Sequence, residues 1–313
     1  MSTASKSPRK VAAVALAIGQ RTLPAYASRF SRRDFTQPQL FVCLVLRQLH
    51  KTDYRGIVAI LQDNPTLRND LGMSKTPHFT TLQKAEQRLL RDANVRAMLA
   101  QTNALFFDLK ATADNEPTEA HRAEQVAADS SGFELDRASR YFTRRKRKPR
   151  KNKDETQPTR VTYRRFAKLG LVVCCATHMI LAIHRGMGPR PDTDELHPLM
   201  SNFVHNVVPG RLLADAGYDS EDNHVMLREY LGIDSIIPAA SGRPTARLPT
   251  GKYRYLMQTA FDDEAYGQRW QSETTFFMIK RHQGASLKAR KPWSRRRELG
   301  LMALTHNIMI PRA

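Results

Sequence analysis

The sequence predicts an α/β domain built on a mixed sheet with helices on both faces, preceded by a helical N-terminal region. Three observations carry this expectation. Apolar residues recur at helical spacing from Gln37 to about Lys110. After Asp114-Asn115-Glu116-Pro117 the periodicity changes to short strand-like runs. Beyond that point the order reads as two strands of a hairpin, then helix, strand, helix, strand and helix. The expected division is a helical region over residues 1–115 and an α/β region over residues 116–313.

In the first region Leu40, Val42, Cys43, Leu46 and Leu49, then Ile57, Ile60 and Leu61, mark helical faces. Leu67 and Leu71-Gly72 lead through Ser74-Lys75-Thr76-Pro77 into a second helix with Leu89 and Leu90 on its apolar side. Helix, glycine-containing turn and helix is the order of a helix-turn-helix, whose second helix enters the major groove of DNA. Gln83, Lys84, Gln87 and Arg88 would form its outward face. An ordinary helical hairpin with a solvated polar face fits the same residues.

In the second region the first strand is expected at Gln125–Asp129, closed by Ser130-Ser131-Gly132. Further strands are expected at Leu169–Thr177, His178–Arg185, Arg211–Ala214 and Ile233–Pro238, with helices at Asp194–Asn206 and Ser220–Tyr230. A basic insertion at about 137–160 interrupts the first hairpin. Within it Arg137–Lys153 contains Arg144, Arg145, Lys146, Arg147 and Lys148 and no acidic residue. Such a block cannot bury itself and reads as a loop. It would clamp DNA phosphates without reading bases, or serve only as a solvated loop.

Composition favours the clamp. The 313 residues carry 50 Lys and Arg against 30 Asp and Glu, a formal charge of +20, which makes a polyanion the expected partner. Nucleic acid comes first and an anionic membrane surface second, but no apolar run approaches the roughly 18 residues of a spanning helix. Lys6, Arg9 and Lys10 before Val11–Ile18, with Ala25-Tyr26-Ala27 beyond, imitate a signal peptide, but Gln20 and Arg21 break the apolar stretch. Cys43, Cys174 and Cys175 are the only cysteines, and an adjacent pair suits neither zinc nor an ordinary bridge. They read as core residues of a protein in a reducing cytoplasm.

The segment from Tyr266 to Lys280 carries the chemistry. On one continuous helix Tyr266, Arg269, Glu273 and Lys280 would fall within about 60° of one another, while Phe276, Phe277 and Ile279 pack inward. A carboxylate between two cations suits a phosphodiester, since Glu can hold a metal while Arg and Lys meet phosphate. A surface helix with ordinary i,i+4 ion pairing of Arg269 with Glu273 is the alternative that this segment, taken alone, favours. Asp129 and Asp215 stand at expected strand ends, where α/β sheets place functional groups. Asp219 and Glu221 read as caps of the following helix, Asp262, Asp263 and Glu264 as first-turn acids, Asp192 as a loop residue and Asp194 as a cap. His178 and His184 on a strand, and His197 and His205 on a helix, lack metal-ligand spacing.

Tyr266, Arg269, Glu273 and Lys280 meet the pattern Y-(2)-R-(3)-E-(6)-K without a gap. In this the sequence resembles a group of bacterial insertion-sequence transposases with a DDE catalytic domain. Asp129 in Val-Ala-Ala-Asp-Ser-Ser-Gly-Phe looks like that family's first Asp, and Asp215 in Asp-Ala-Gly-Tyr like its second. The resemblance covers roughly residues 40–310. It implies a ribonuclease-H-like catalytic fold with Asp129, Asp215 and Glu273 as catalytic carboxylates and metal ligands. Two Mg2+ ions, replaceable by Mn2+, are implied as cofactors. Double-stranded DNA, as terminal inverted repeats and target, is the implied partner, and a homodimer the implied form in the synaptic complex. Arg269 and Lys280 would hold phosphates, and Tyr266 would orient DNA at the cut. The basic block lengthens the first hairpin, and the short interval from Asp215 to Glu273 suits the compact branch of the family. A silent DNA-binding relic and a metal-dependent nuclease of the same fold are the alternatives.

Overall fold

The computed structural model describes residues 4–114, 121–136, 166–203, 207–239 and 248–310. Its sheet contains β1 (His121–Leu135), β2 (Phe166–Cys174), β3 (Ile180–Gly188), β4 (Val207–Ala214) and β5 (Asp234–Ile236), in the order β3-β2-β1-β4-β5. The first three strands form an antiparallel meander, whereas β4 and β5 run parallel to β1. A short β6 (Ser286–Leu287) pairs with the far end of β1. This mixed sheet is consistent with a ribonuclease-H-like transposase fold.

The central strands read as continuous apolar runs because both of their faces are covered. In β2 every residue after Phe166 is buried, including Lys168. The first strand is longer than expected: it does not stop at Asp129 but continues to Leu135, because β2 supplies partners as far as Phe133. The hairpin turn claims His178, expected on a strand, which adopts φ 60° between β2 and β3.

Among the described residues six helices precede the sheet: α1 (Pro8–Thr22), α2 (Gln37–Leu49), α3 (Tyr54–Asp63), α4 (Pro65–Asp70), α5 (Phe79–Leu89) and α6 (Asp92–Asp114). The stretch that imitates a signal peptide is α1, which buries Val11, Val14, Ala15 and Ile18. In α2 a capping box joins Thr36 and Gln39, and Leu40 through Leu46 are all buried, so this helix is enclosed on every side. The helix-turn-helix order is present as α4, a turn with Gly72 at φ 64°, and α5. Gln83, Lys84 and Gln87 are exposed, but Arg88 is half-buried and its Nε donates to Gln37 Oε1 at 2.9 Å. One apolar core runs from α1 and α2 through the sheet to the C-terminal helices.

After the sheet's third strand, the helix expected at Asp194–Asn206 is a 3-10 turn at Thr193–Glu195 followed by a short α7 (Leu196–Met200). Next come α8 (Glu221–Val225), continued by a π-turn to Tyr230, then α9 (Lys252–Thr259), α10 (Asp263–Tyr266), α11 (Trp270–Gln283) and α12 (Pro292–Met309). The two faces of the sheet are covered by different helices. Gly300 of α12 lies against Arg185 of β3, and Lys280 of α11 reaches Ser131 of β1. On the other face Lys168 and Gly186 meet Glu195, next to α7. Cys43, Cys174 and Cys175 are buried free thiols, as expected.

Candidate active site at the end of the β1–β4 ladder

Pairing of β1 with β4 ends at Ala128 and Ala214, so the next residues, Asp129 and Asp215, emerge side by side where β4 stops. Asp129 stays in the ladder opposite Leu171, and its Oδ1 accepts from the Ser130 N–H at 2.7 Å. Asp215 Oδ1 accepts from the Gly217 N–H at 2.8 Å and caps the 3-10 turn Ala216–Tyr218. A Cβ on Gly217 would stand 2.9 Å from Asp215 Oδ1 and 3.2 Å from Asp192 Oδ2, so glycine leaves room between these carboxylates.

The third acid arrives on α11. That helix packs on β1 and β2 through buried Phe276 and Ile279, but Phe277, expected to pack inward, is 59% exposed. Nor is the segment one continuous helix. A 3-10 turn at Gly267–Arg269 separates α10 from α11, so the uniform step of about 100° does not hold between Tyr266 and Glu273. Asp262 caps α10 by accepting from the Ala265 N–H at 2.9 Å, and Asp263 and Glu264 occupy its first turn.

The four polar residues still reach one end of the sheet. Burial pushes the Asp129 carboxyl up to about 6; Asp215 and Glu273 add to the rise, while the Ser130 N–H and Arg269 oppose it. Burial likewise raises the Tyr266 hydroxyl, which also feels Arg269, Asp215 and Glu273. Lys280 Nζ donates to Ser131 Oγ at 2.7 Å and lies 5.2 Å from the centre of the Phe133 ring. Ser131 is two residues beyond Asp129, hence on the same face of β1. Arg269 Nη2 donates to Glu273 Oε1 at 2.7 Å, so the i,i+4 pair that the spacing allowed is present. Among the described residues no three acidic, histidine or cysteine side chains stand close enough to enclose an ion together.

Sequence reasoning missed Asp192. Far from being a plain loop residue, it accepts from Ser130 Oγ at 2.8 Å and is paired with Lys168, which also meets Glu195 at 3.2 Å. A lysine inside an otherwise apolar strand was the available signal, though it does not say which acid answers it. Asp219 is no cap of α8: Ser220 takes that role, and Asp219 is buried against Arg254 at 2.8 Å. Glu221 accepts from the backbone N–H groups of Tyr253 and Arg254, at the start of α9. His205 and Arg144, Arg145, Lys146, Arg147 and Lys148 lie outside the described residues.

Residues 120–308 match the family model described as "Transposase DDE domain". This chain belongs to the DDE transposase family. Members of this family are DNA phosphoryl-transfer enzymes that use divalent metal ions. Among solved structures the chain is similar to that described as "Crystal structure of a pre-cleavage Mos1 transpososome", at 11% identity, over 96% of each chain, with a TM-score of 0.20. No curated protein matches it in sequence. No helix among the described residues of this transposase is long and apolar enough to cross a membrane.

Proposed function

We propose that this transposase moves an insertion sequence by cleaving and joining DNA strands at Asp129, Asp215 and Glu273, with Mg2+ as cofactor and Mn2+ able to replace it. The observation that carries this reading is the emergence of Asp129 and Asp215 side by side where β4 ends, with Glu273 near enough to raise the Asp129 carboxyl. The donor set fits a hard cation: it is all oxygen and its negative charges are mutually repelling. Asp129 and Asp215 would hold the ions, and Glu273 would join them on leaving Arg269. Bound divalent ions supply activation of the attacking hydroxyl and stabilisation of the leaving oxygen.

The chain's own residues orient the DNA. Arg269 and Lys280 are cations flanking the carboxylates and would hold phosphates, while Tyr266 would position the strand at the cut. The substrates are the terminal inverted repeats and the target, both double-stranded, and the working form is a homodimer in the synaptic complex. The basic segment including Arg144–Lys148 would clamp phosphates, and α5 would enter the major groove.

The test uses the purified chain, a labelled duplex of the element's end and Mg2+, with binding and cleavage scored separately. Asp129→Asn, Asp215→Asn and Glu273→Gln should each abolish cleavage and strand transfer while leaving end binding largely intact. A carboxamide variant that still cuts at the wild-type rate removes its residue from the site.

A further inference from the structure

We infer that a second, basic groove between the N-terminal helices and the loop after β6 grips the phosphate backbone of duplex DNA away from the carboxylates. The inference rests on the transposase reading above and adds to α5 a basic wall, Lys51 and Lys288–Lys291, that the motifs leave unassigned. The groove encloses about 670 Å³ between the α2–α3 corner, α5 and the segment Lys288–Glu298.

Its charge is one-sided once internal pairings are counted. Glu86 is buried and held by Arg47 at 2.9 Å and by the Tyr54 hydroxyl at 2.6 Å. Glu298 is buried and accepts from the backbone N–H groups of Lys288 and Ala289. Asp53 caps α3 by accepting from the Gly56 N–H at 2.7 Å. Glu86 and Glu298 are committed to the walls, which leaves the exposed Asp53, whose carboxylate caps α3, and the exposed Asp136 against the exposed Lys51, Lys288, Arg290 and Lys291 and the half-buried Arg297. Such a surface attracts a polyanion.

The lining decides between a duplex and a small nucleotide. A nucleotide pocket buries its base among apolar and aromatic side chains. Here the one aromatic lining residue, Tyr54, has Arg47 over its ring and Glu86 on its hydroxyl. The lining also carries the exposed cations Lys51, Lys288, Arg290 and Lys291 and the exposed amides of Gln83 and Gln87 on α5. Cations that meet phosphate beside amides that can read base edges are the two halves of a specific DNA contact. They come from segments about two hundred residues apart in sequence, so the fold is needed to bring the basic segment beside α5.

Position adds a length. β6 pairs with Glu134 and Leu135, so Lys288 lies at the far end of β1, six residues beyond Asp129. At about 3.3 Å per residue the groove stands roughly 20 Å from the carboxylates. That is on the order of six base-pair steps along a duplex. A duplex lying along β1 would therefore meet the groove some six base pairs from the cut.

Binding of the full chain to an end duplex and to a scrambled duplex, measured by fluorescence anisotropy across salt concentrations, tests this. Lys288→Ala/Arg290→Ala/Lys291→Ala should weaken both duplexes alike and lower the slope of log affinity against log salt by about 2.7. The gap from wild type then changes on the order of forty-fold between about 50 and 200 mM salt. Gln83→Ala/Gln87→Ala should weaken only the end duplex. Thermal melting of each variant checks its fold, and Arg290→Glu/Lys291→Glu, further from the core, repeats the measurement if the triple variant melts early. Unchanged slopes overturn the groove, as would a triple variant that loses binding of ADP, tested alongside as a small-nucleotide probe, while duplex binding stays intact. If the groove variants bind like wild type while Asp129→Asn abolishes cutting, only this inference fails. If wild type binds through the groove but never cuts, the catalytic reading fails instead.

Discussion

Replacing Asp129 by Asn should stabilise the fold, increasingly as pH rises, even as it abolishes cleavage. An Asp in the unfolded chain titrates near 3.8, whereas Asp129 is raised to about 6, chiefly by burial and further by Asp215 and Glu273. For a carboxyl raised on folding, the folded state binds the proton more tightly than the unfolded one. The penalty is therefore absent below about pH 3.8, grows through the interval and is complete above about pH 6. At 1.36 kcal/mol per pH unit the full penalty is about 3 kcal/mol. The same relation gives about 1 kcal/mol at pH 4.5, so the stability difference between variant and wild type should widen by about 2 kcal/mol between pH 4.5 and 7.5. Any constant offset from the substitution cancels in that comparison. Asn keeps the oxygen that accepts from the Ser130 N–H, so little is lost locally. Urea unfolding of both proteins at the two pH values, with a chelator present, measures it. Added Mg2+ should then close the gap at pH 7.5 by stabilising wild type alone. A difference that stays flat with pH, or that narrows, would refute the reasoning.

Two further outcomes concern cations. Lys168→Met should destabilise the protein by about 3 kcal/mol in urea unfolding, because Asp192 and the buried Glu195 lose their counter-charge; a loss under about 1 kcal/mol would show that the pair is dispensable. Deleting Arg137–Lys153 should weaken binding to all DNA about equally and flatten its salt dependence, because a phosphate clamp reads no bases; an unchanged salt slope would dismiss the clamp.

Much of the sheet was legible because its strands are bounded by turn residues and separated by helical periods. The limits of β1 were not, since Ser130-Ser131-Gly132 reads locally as a stop and only the ladder to β2 keeps those residues extended. Asp129 and Asp215 could be picked out as strand-end acids, but their adjacency depends on the parallel register of β4, which no local pattern encodes. The spacing of Tyr266, Arg269, Glu273 and Lys280 suits one helical face; the 3-10 turn at Gly267–Arg269 breaks that geometry, with Tyr266 on α10, Arg269 in the turn, and Glu273 and Lys280 on α11. Asp192 stayed hidden because its partners, Ser130 and Lys168, are distant in sequence.

Arg269 was open to two readings, a surface ion pair with Glu273 or a phosphate contact, and the magnitudes make them compatible. The pair is present, with side-chain exposures of 23% and 57%. Exposed i,i+4 pairs contribute only about 0.5 kcal/mol. On the proposed reading, release of Glu273 is thus a small cost beside the attraction that a divalent ion at Asp129 and Asp215 would exert on a third carboxylate. The same release frees the guanidinium, which can then meet a phosphate through two parallel hydrogen bonds. In the ion-free protein the pair keeps Glu273 from adding its full charge to a site where Asp129 is already raised by its neighbours. One arginine can therefore restrain the third acid before the substrates arrive and hold the strand once they have.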